Sequence, residues 1–184
     1  DFEMYDIPLV AENLTQAIRA SLSFLEIAPD RVTFPLWAAV WLAQLAELVN
    51  VAFTMWVYGG TGAMKSTVSS LALNHYGSKW DDKHLPANFL DTANRLEQKT
   101  FVAKDVMLII DDFAPQKNAR DQQEYVRSAA RIVRVVGNHA GRGRMAADTT
   151  ARRTYYPRGL VLITGEDLPQ SEGVMGRLFV VEMN

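Results

Sequence analysis

The run Gly59-Gly60-Thr61-Gly62-Ala63-Met64-Lys65-Ser66-Thr67 places three glycines, a lysine and three hydroxyls between an apolar strand-like stretch and a helical one. Glycines let the backbone curl so that successive amide N–H groups point at phosphate oxygens. The helix that follows adds its positive N-terminal end. Lys65 is placed to bridge β- and γ-phosphates, and the Ser66 hydroxyl to ligate magnesium. The familiar pattern G-x-x-x-x-G-K-[ST] has glycine immediately before the lysine. Here that residue is Met64, and Gly62, three before the lysine, is the expected source of flexibility. The plain alternative is a glycine-rich turn that enters a helix by coincidence.

A second group raises the weight of the first. Val106-Met107-Leu108-Ile109-Ile110-Asp111-Asp112 is an apolar strand that ends in two carboxylates. Ligands of parallel sheets bind at the carboxyl ends of strands. Asp111 is expected to hold magnesium, directly or through water, and Asp112 to orient or deprotonate the attacking water. Alone, the pair reads equally well as the cap of an exposed strand end. A third strand, Leu160-Val161-Leu162-Ile163-Thr164, followed by Gly165-Glu166, carries a polar tip. A strand lying between the two motif strands would deliver Thr164 or Glu166 to the γ-phosphate, where a polar group can position water. Arg177, just before the last strand, is placed to reach the phosphates of a neighbouring subunit, or else is a surface arginine beside a strand. The cofactors implied are ATP and Mg2+.

The elements that position these groups follow from periodicity. An amphipathic helix over Glu12–Ile27 puts Leu14, Ile18, Leu22 and Leu25 on one stripe, and a buried helix is expected over Pro35–Leu48. Strands are expected at 51–58, 87–89, 106–110, 160–164 and 178–182. Helices fall between them: Lys65–Tyr76, stopped by Gly77; one capped by Asp91 or Thr92 and running to Val102; and a long one over Asp121–Val136. Strands that alternate with helices predict a three-layer α/β sandwich with a mainly parallel sheet, the P-loop NTPase arrangement. Residues 1–50 read as a helical segment packed before the core at 51–184.

Composition is that of an ordinary globular chain: 184 residues, 48% hydrophobic, 22% charged and no cysteine. Disulfides and cysteine-ligated zinc are excluded, and three scattered histidines argue against a metal cage. The lack of cysteine suits a reducing cytoplasm. The first residues lack the pattern of a signal peptide, and the chain reads as a fragment of a longer protein. Pro35–Tyr58 is apolar enough to suggest a membrane span, but Glu47 and Asn50 interrupt it, and a buried helix followed by a strand is expected instead.

The net charge of −2 hides an asymmetry: residues 116–158 carry +7 and the remainder −9. A basic segment in an acidic chain points to a polyanionic partner. Arg127, Arg131 and Arg134 share one helix face, which reads as solvated or as a subunit interface, while the opposite side with Ala129, Ile132, Val133 and Val136 packs on the sheet. Beyond it, Arg142–Ala146 and Arg153–Tyr156 are expected to pair as a hairpin around Asp148-Thr149. Arg142, Arg144, Arg152 and Arg153 then suit contacts to nucleic-acid phosphates, with tyrosines nearby for base stacking. His75 and His84 read as structural and His139 as a loop residue.

Taken with His75-Tyr76-Gly77, Leu85-Pro86-Ala87-Asn88, Thr92-Ala93-Asn94, Asp111-Asp112-Phe113-Ala114-Pro115, Gly141-Arg142-Gly143-Arg144-Met145 and Tyr156-Pro157-Arg158-Gly159, the loop resembles a group of poorly characterised ATP-binding proteins of bacteria, phages and integrated elements. These are often encoded beside primase modules or fused to them. The resemblance spans about residues 35–182. More distantly, the motif order is similar to AAA+ ATPases and superfamily 3 helicases. It implies a sheet with the Thr164 strand inserted between those of Val51 and Val106, and a ring-forming homo-oligomer, often a hexamer, with ATP sites shared between subunits. It also implies that the basic 138–158 segment takes the place of a hairpin that touches single-stranded DNA. Many such motors have glutamate where this chain has Asp112.

The expectation is therefore an ATP-hydrolysing motor domain, helicase-like, acting on single-stranded or duplex DNA in replication of a mobile element. A small-molecule or nucleotide kinase on the same loop is the alternative enzyme. A slow nucleotide-dependent switch is the third reading, which Met64 and Asp112 both allow.

Overall fold

The computed structural model describes residues 2–8, 13–139, 144–145, 151–152 and 155–183. Seven strands and six α-helices are assigned among them. Strands β1 (Thr54–Tyr58), β2 (Ala87–Asn88), β3 (Met107–Phe113), β6 (Leu160–Gly165) and β7 (Leu178–Glu182) form one sheet in the order β2-β3-β6-β1-β7. Every pairing in it is parallel. The Thr164 strand thus lies between the strand that leads into the glycine loop and the strand that ends in the carboxylates. Because all five strands run the same way, the three motif-bearing ends come out at one edge of the sheet.

The central strands β3 and β6 are almost wholly buried, as expected where helices cover both faces. One face packs on α2 (Asp30–Gln44) and α3 (Lys65–Leu73): Leu36, Val40, Ala43, Ala72 and Leu73 meet Met55, Val57, Ile109 and Leu162. The other packs on α4 (Ala93–Val102) and α5 (Ala119–Gly137), where Leu96, Ala129, Ile132, Val133 and Val136 meet Trp56, Leu108, Ile110, Val161 and Ile163. A short α6 (Glu172–Met175) precedes β7. Alternate residues of each strand feed alternate cores, as a pleated strand requires. A parallel sheet with helices on both faces is the three-layer arrangement the sequence predicts.

Helix α2 begins and ends earlier than the expected Pro35–Leu48. Pro29, in an extended conformation, is its N-cap, Asp30 supplies an acid to the first turn, and Pro35 lies inside. Five residues into a helix, a proline forgoes only one backbone hydrogen bond, which an apolar helix packed on a sheet tolerates. At its far end Leu45–Asn50 form turns instead of a last helical stretch. Among the described residues no helix is long and apolar enough to cross a membrane.

Helix α1 (Leu14–Ser23) is attached differently. Asn13 caps it by accepting from the Gln16 N–H at 3.0 Å, yet none of its residues is buried, and Leu14, Ile18 and Leu22 remain exposed. Its hold on the body is polar. The Trp37 indole N–H donates to Ser21 Oγ at 2.9 Å, and Ser21 Oγ lies 2.9 Å from His75 Nε2. His75 Nδ1 is 2.9 Å from the Ala72 carbonyl, so Nδ1 carries the proton and Nε2 accepts from Ser21. Burial holds the His75 pKa below its ordinary value, in keeping with a neutral ring.

Candidate nucleotide site

The glycine loop joins β1 to α3 at the carboxyl edge of the sheet. Gly59 passes so close to β7 that a Cβ there would sit 2.0 Å from the Met183 carbonyl oxygen, so only glycine fits. Gly62 has φ +84, a conformation that suits a residue without a Cβ. Met64, where the common pattern has glycine, adopts φ 59 as the N-cap of α3, with its side chain in solvent. The backbone therefore takes the left-handed turn that a glycine would serve, and the methionine bears the steric cost of about 1–2 kcal/mol. A β-branched residue fits this turn worse. Met64→Val is expected to lower stability by roughly 1–2 kcal/mol, read as a shift in the urea midpoint, with Met64→Gly at least as stable as the parent.

Lys65 opens α3 and turns back into the loop, its Nζ donating to the carbonyls of Gly59 (2.8 Å) and Gly60 (2.9 Å). Ser66 Oγ donates to Asp111 Oδ1 at 2.8 Å. Thr164 Oγ1 donates to the same carboxylate oxygen and accepts from the Asp112 N–H at 3.2 Å. Loop, carboxylate strand and intervening strand thus converge on Asp111. Thr164 is 1% exposed, so its hydroxyl is committed to positioning the two aspartates. The β3–β6 register slips between Ile110 and Phe113, and Asp112 stands at φ 65 in that bulge. The bulge turns the Asp112 carboxylate away from the sheet, beside the loop. Burial, then the charges of Asp111 and Glu166, raise its pKa above the ordinary carboxylate value, opposed by Lys65.

Glu166 lies across the mouth of the site, with Thr61 Oγ1 donating to its Oε1 at 2.7 Å. This tie between the loop and the tip of β6 has no signature in sequence, since the residues are 105 positions apart. The same is true of Asp82, whose carboxylate accepts from Thr67 Oγ1 at 3.3 Å.

A hydroxyl and a carboxylate in contact offer two hard oxygens, which suits magnesium completed by water and substrate phosphates. Among the described residues there is no group of three or more His, Asp or Glu for an all-protein cage. Ser66 and Asp111 therefore fit Mg2+.

Arg177 is placed elsewhere. It precedes β7 at the amino edge of the sheet, where Nη1 donates to the Gly173 carbonyl and Nη2 to Asn138 Oδ1 at 3.3 Å. It cannot serve the phosphates of its own loop. Arg131, expected on a solvated or interface stripe, instead binds the Glu97 carboxylate, which is 2% exposed, and donates to Asn94 Oδ1 at 2.9 Å, tying α5 to α4. Arg127 and Arg134 stay exposed.

Among the described residues an antiparallel pair stands where the hairpin is expected: β4 (Arg144–Met145) pairs with β5 (Ala151–Arg152), matching Arg144 with Arg152. The returning strand comes earlier than the expected Arg153–Tyr156. Arg142 and Arg153 lie outside the described residues.

The fold can be set beside solved structures. The active helicase SCCmec type IV Cch superposes with a TM-score of 0.57 at 14% identity, over 97% of this chain and 33% of that one. JCV helicase superposes with a TM-score of 0.51 at 11% identity, over 95% of this chain and 46% of that one. The NrS-1 C-terminal region gives 0.51 at 11%, over 99% of this chain and 41% of that one. The chain shares the fold of these structures. It spans between one third and one half of their lengths. No protein-family model and no curated protein matches the sequence.

Proposed function

We propose that this chain is the ATP-binding and hydrolysing core of a helicase-like motor that acts on DNA. The observation that carries the reading is the meeting of Lys65, Ser66, Asp111 and Asp112 at adjacent strand ends, with the β6 strand between them. The amides of Gly59 to Thr67, including Thr61, Gly62 and Ala63, cradle the triphosphate, and Lys65 neutralises its β- and γ-oxygens. Ser66 and Asp111 would hold magnesium, which would offset the charge of the phosphates. Asp112 accepts the proton of the attacking water, its raised pKa suiting a base better than an ordinary carboxylate. Glu166 positions that water from the β6 tip, while Thr164 holds Asp111 and the Asp112 backbone in place.

Arg177 faces away from its own loop, which fits the reading that it completes the site of the next subunit in a ring. The basic segment that carries Arg142, Arg144, Arg152 and Arg153 is the proposed contact to the strand. The resemblance to proteins of mobile elements supports a role in their replication, with a primase module as partner.

A kinase is the second reading, and one observation favours it. A cleft of about 490 Å³ opens between the start of α4 and the α5 face, lined by Phe89, Thr92, Gln116, Tyr125, Arg127 and Ser128. It could seat an acceptor. The deciding experiment is ATP hydrolysis by the protein with and without single-stranded DNA, with Lys65→Ala as the blank. Phosphate release raised by DNA and absent from the variant is expected. Hydrolysis indifferent to DNA would reject the motor in favour of a kinase or a switch.

A further inference from the structure

At the amino edge of the sheet, opposite the glycine loop, a second concave surface of about 550 Å³ lies at the root of the basic hairpin. Its walls come from two segments that flank the hairpin, His139 before it and Tyr156-Pro157 after it, and from Leu48, Val49 and Asn50 between α2 and β1. Leu48 is 84% exposed and Tyr156 47%. An exposed tyrosine ring and leucine side by side give this groove a flat, partly apolar wall that a base could cover.

The rings are held from behind. Phe101 at the end of α4 meets Tyr156 at 5.6 Å with the ring planes at 83°, so the two do not stack on each other. The Arg158 guanidinium lies 3.9 Å over the Phe101 ring and donates from Nε to the Phe101 carbonyl at 2.7 Å. Tyr155 meets the same ring at 5.4 Å. Tyr156 is thus buttressed by a fixed aromatic cluster, and docking a flat ligand on it costs little side-chain entropy.

Charge identifies the ligand. Residues 140–158 carry five arginines and one acid, Asp148. Glu47, the acid in the groove wall, is bound by Lys104 at 3.1 Å. A polyanion that also carries flat apolar faces is single-stranded nucleic acid: phosphates for the arginines, bases for the ring. We propose that the groove at the hairpin root receives a base of the bound strand, with Tyr156 as its stacking platform and His139 and Asn50 at its polar rim. The inference rests on the nucleic-acid part of the function proposed above. It adds a contact that is not ionic, away from the hairpin arginines, and it requires the strand to run along the amino edge of the sheet.

The test uses the full chain and two labelled oligonucleotides of equal length, oligo-dT and an abasic strand with the same number of phosphates, in fluorescence anisotropy titrations over a range of salt. Tyr156→Ala is expected to weaken oligo-dT binding on the order of 10-fold, to leave the abasic strand unaffected, and to keep the salt dependence of the parent. Arg144→Ala is expected to weaken both strands alike and to flatten the salt slope by about one unit. Tyr156→Phe, which keeps the ring and its packing on Phe101, is expected to bind as the parent does. Equal loss on both strands with Tyr156→Ala, or no loss on either, overturns the platform while leaving the nucleic-acid reading standing. A parent that binds neither strand overturns both.

Discussion

Lys65→Ala is expected to weaken ATP binding on the order of 100-fold, since it deletes charge-assisted contacts to two phosphates worth about 1.5–3 kcal/mol each. The loop itself is expected to survive. The Nζ contacts it would lose are to the carbonyls of Gly59 and Gly60, and the Gly60 contact is solvent-exposed. Water can therefore replace the ammonium at Gly60, and the turn keeps the shape set by Gly59, Gly62 and Met64. Calorimetric titration with ATP, beside a thermal melt, checks both halves. An unchanged affinity in a folded variant would reject the assignment of this loop as the phosphate cradle.

Asp112→Asn carries the second large effect, and it separates binding from chemistry. Asparagine tolerates the left-handed conformation found at this position, and the backbone N–H that donates to Thr164 is retained. What is lost is the ability to accept a proton, a contribution of typically 10²- to 10⁴-fold for a positioned base. Hydrolysis is expected to fall by about 100-fold or more, with ATP affinity within a few-fold of the parent. Single-turnover phosphate release and equilibrium binding of ATP give the two numbers. Turnover near the parental rate would move the base to Glu166, the other carboxylate at the mouth of the site.

Much of this arrangement was legible in the chain, for physical reasons that differ between elements. The runs Met107–Ile110 and Leu160–Ile163 are unbroken apolar segments because both their faces are covered, so they announce central strands. The glycine loop declares itself because backbone approach and left-handed turns demand specific residues. Met64 shows the boundary of that argument, since a left-handed turn is paid for by a residue that propensity would not place there. The start of α2 was missed because Pro35 reads as a beginning, whereas the packing of Val32 and Leu36 on the sheet outweighs one forgone hydrogen bond. Arg131 was misjudged because a helix face shows its charges but not its neighbours. Glu97, which binds it, sits on another helix and looks like an ordinary surface acid. The Thr61–Glu166 tie and the grouping of Tyr156 with His139 and Leu48 are contacts across sequence distance, and no local pattern encodes them.

The polar attachment of α1 has a consequence for how the molecule comes apart. A helix that buries nothing contributes little to the cooperative unit of the sheet, so its departure is a local event of low free energy, separate from global unfolding. Two tryptophans sit on either side of that divide. Trp37 donates to Ser21 of α1, while Trp56 is fully buried in the sheet and bonded to the Asp167 carbonyl at 3.1 Å. The first reports the undocking of α1 and the second the loss of the core. With Trp41 and Trp80 replaced, these two rings would separate a loosened helix from an unfolded domain.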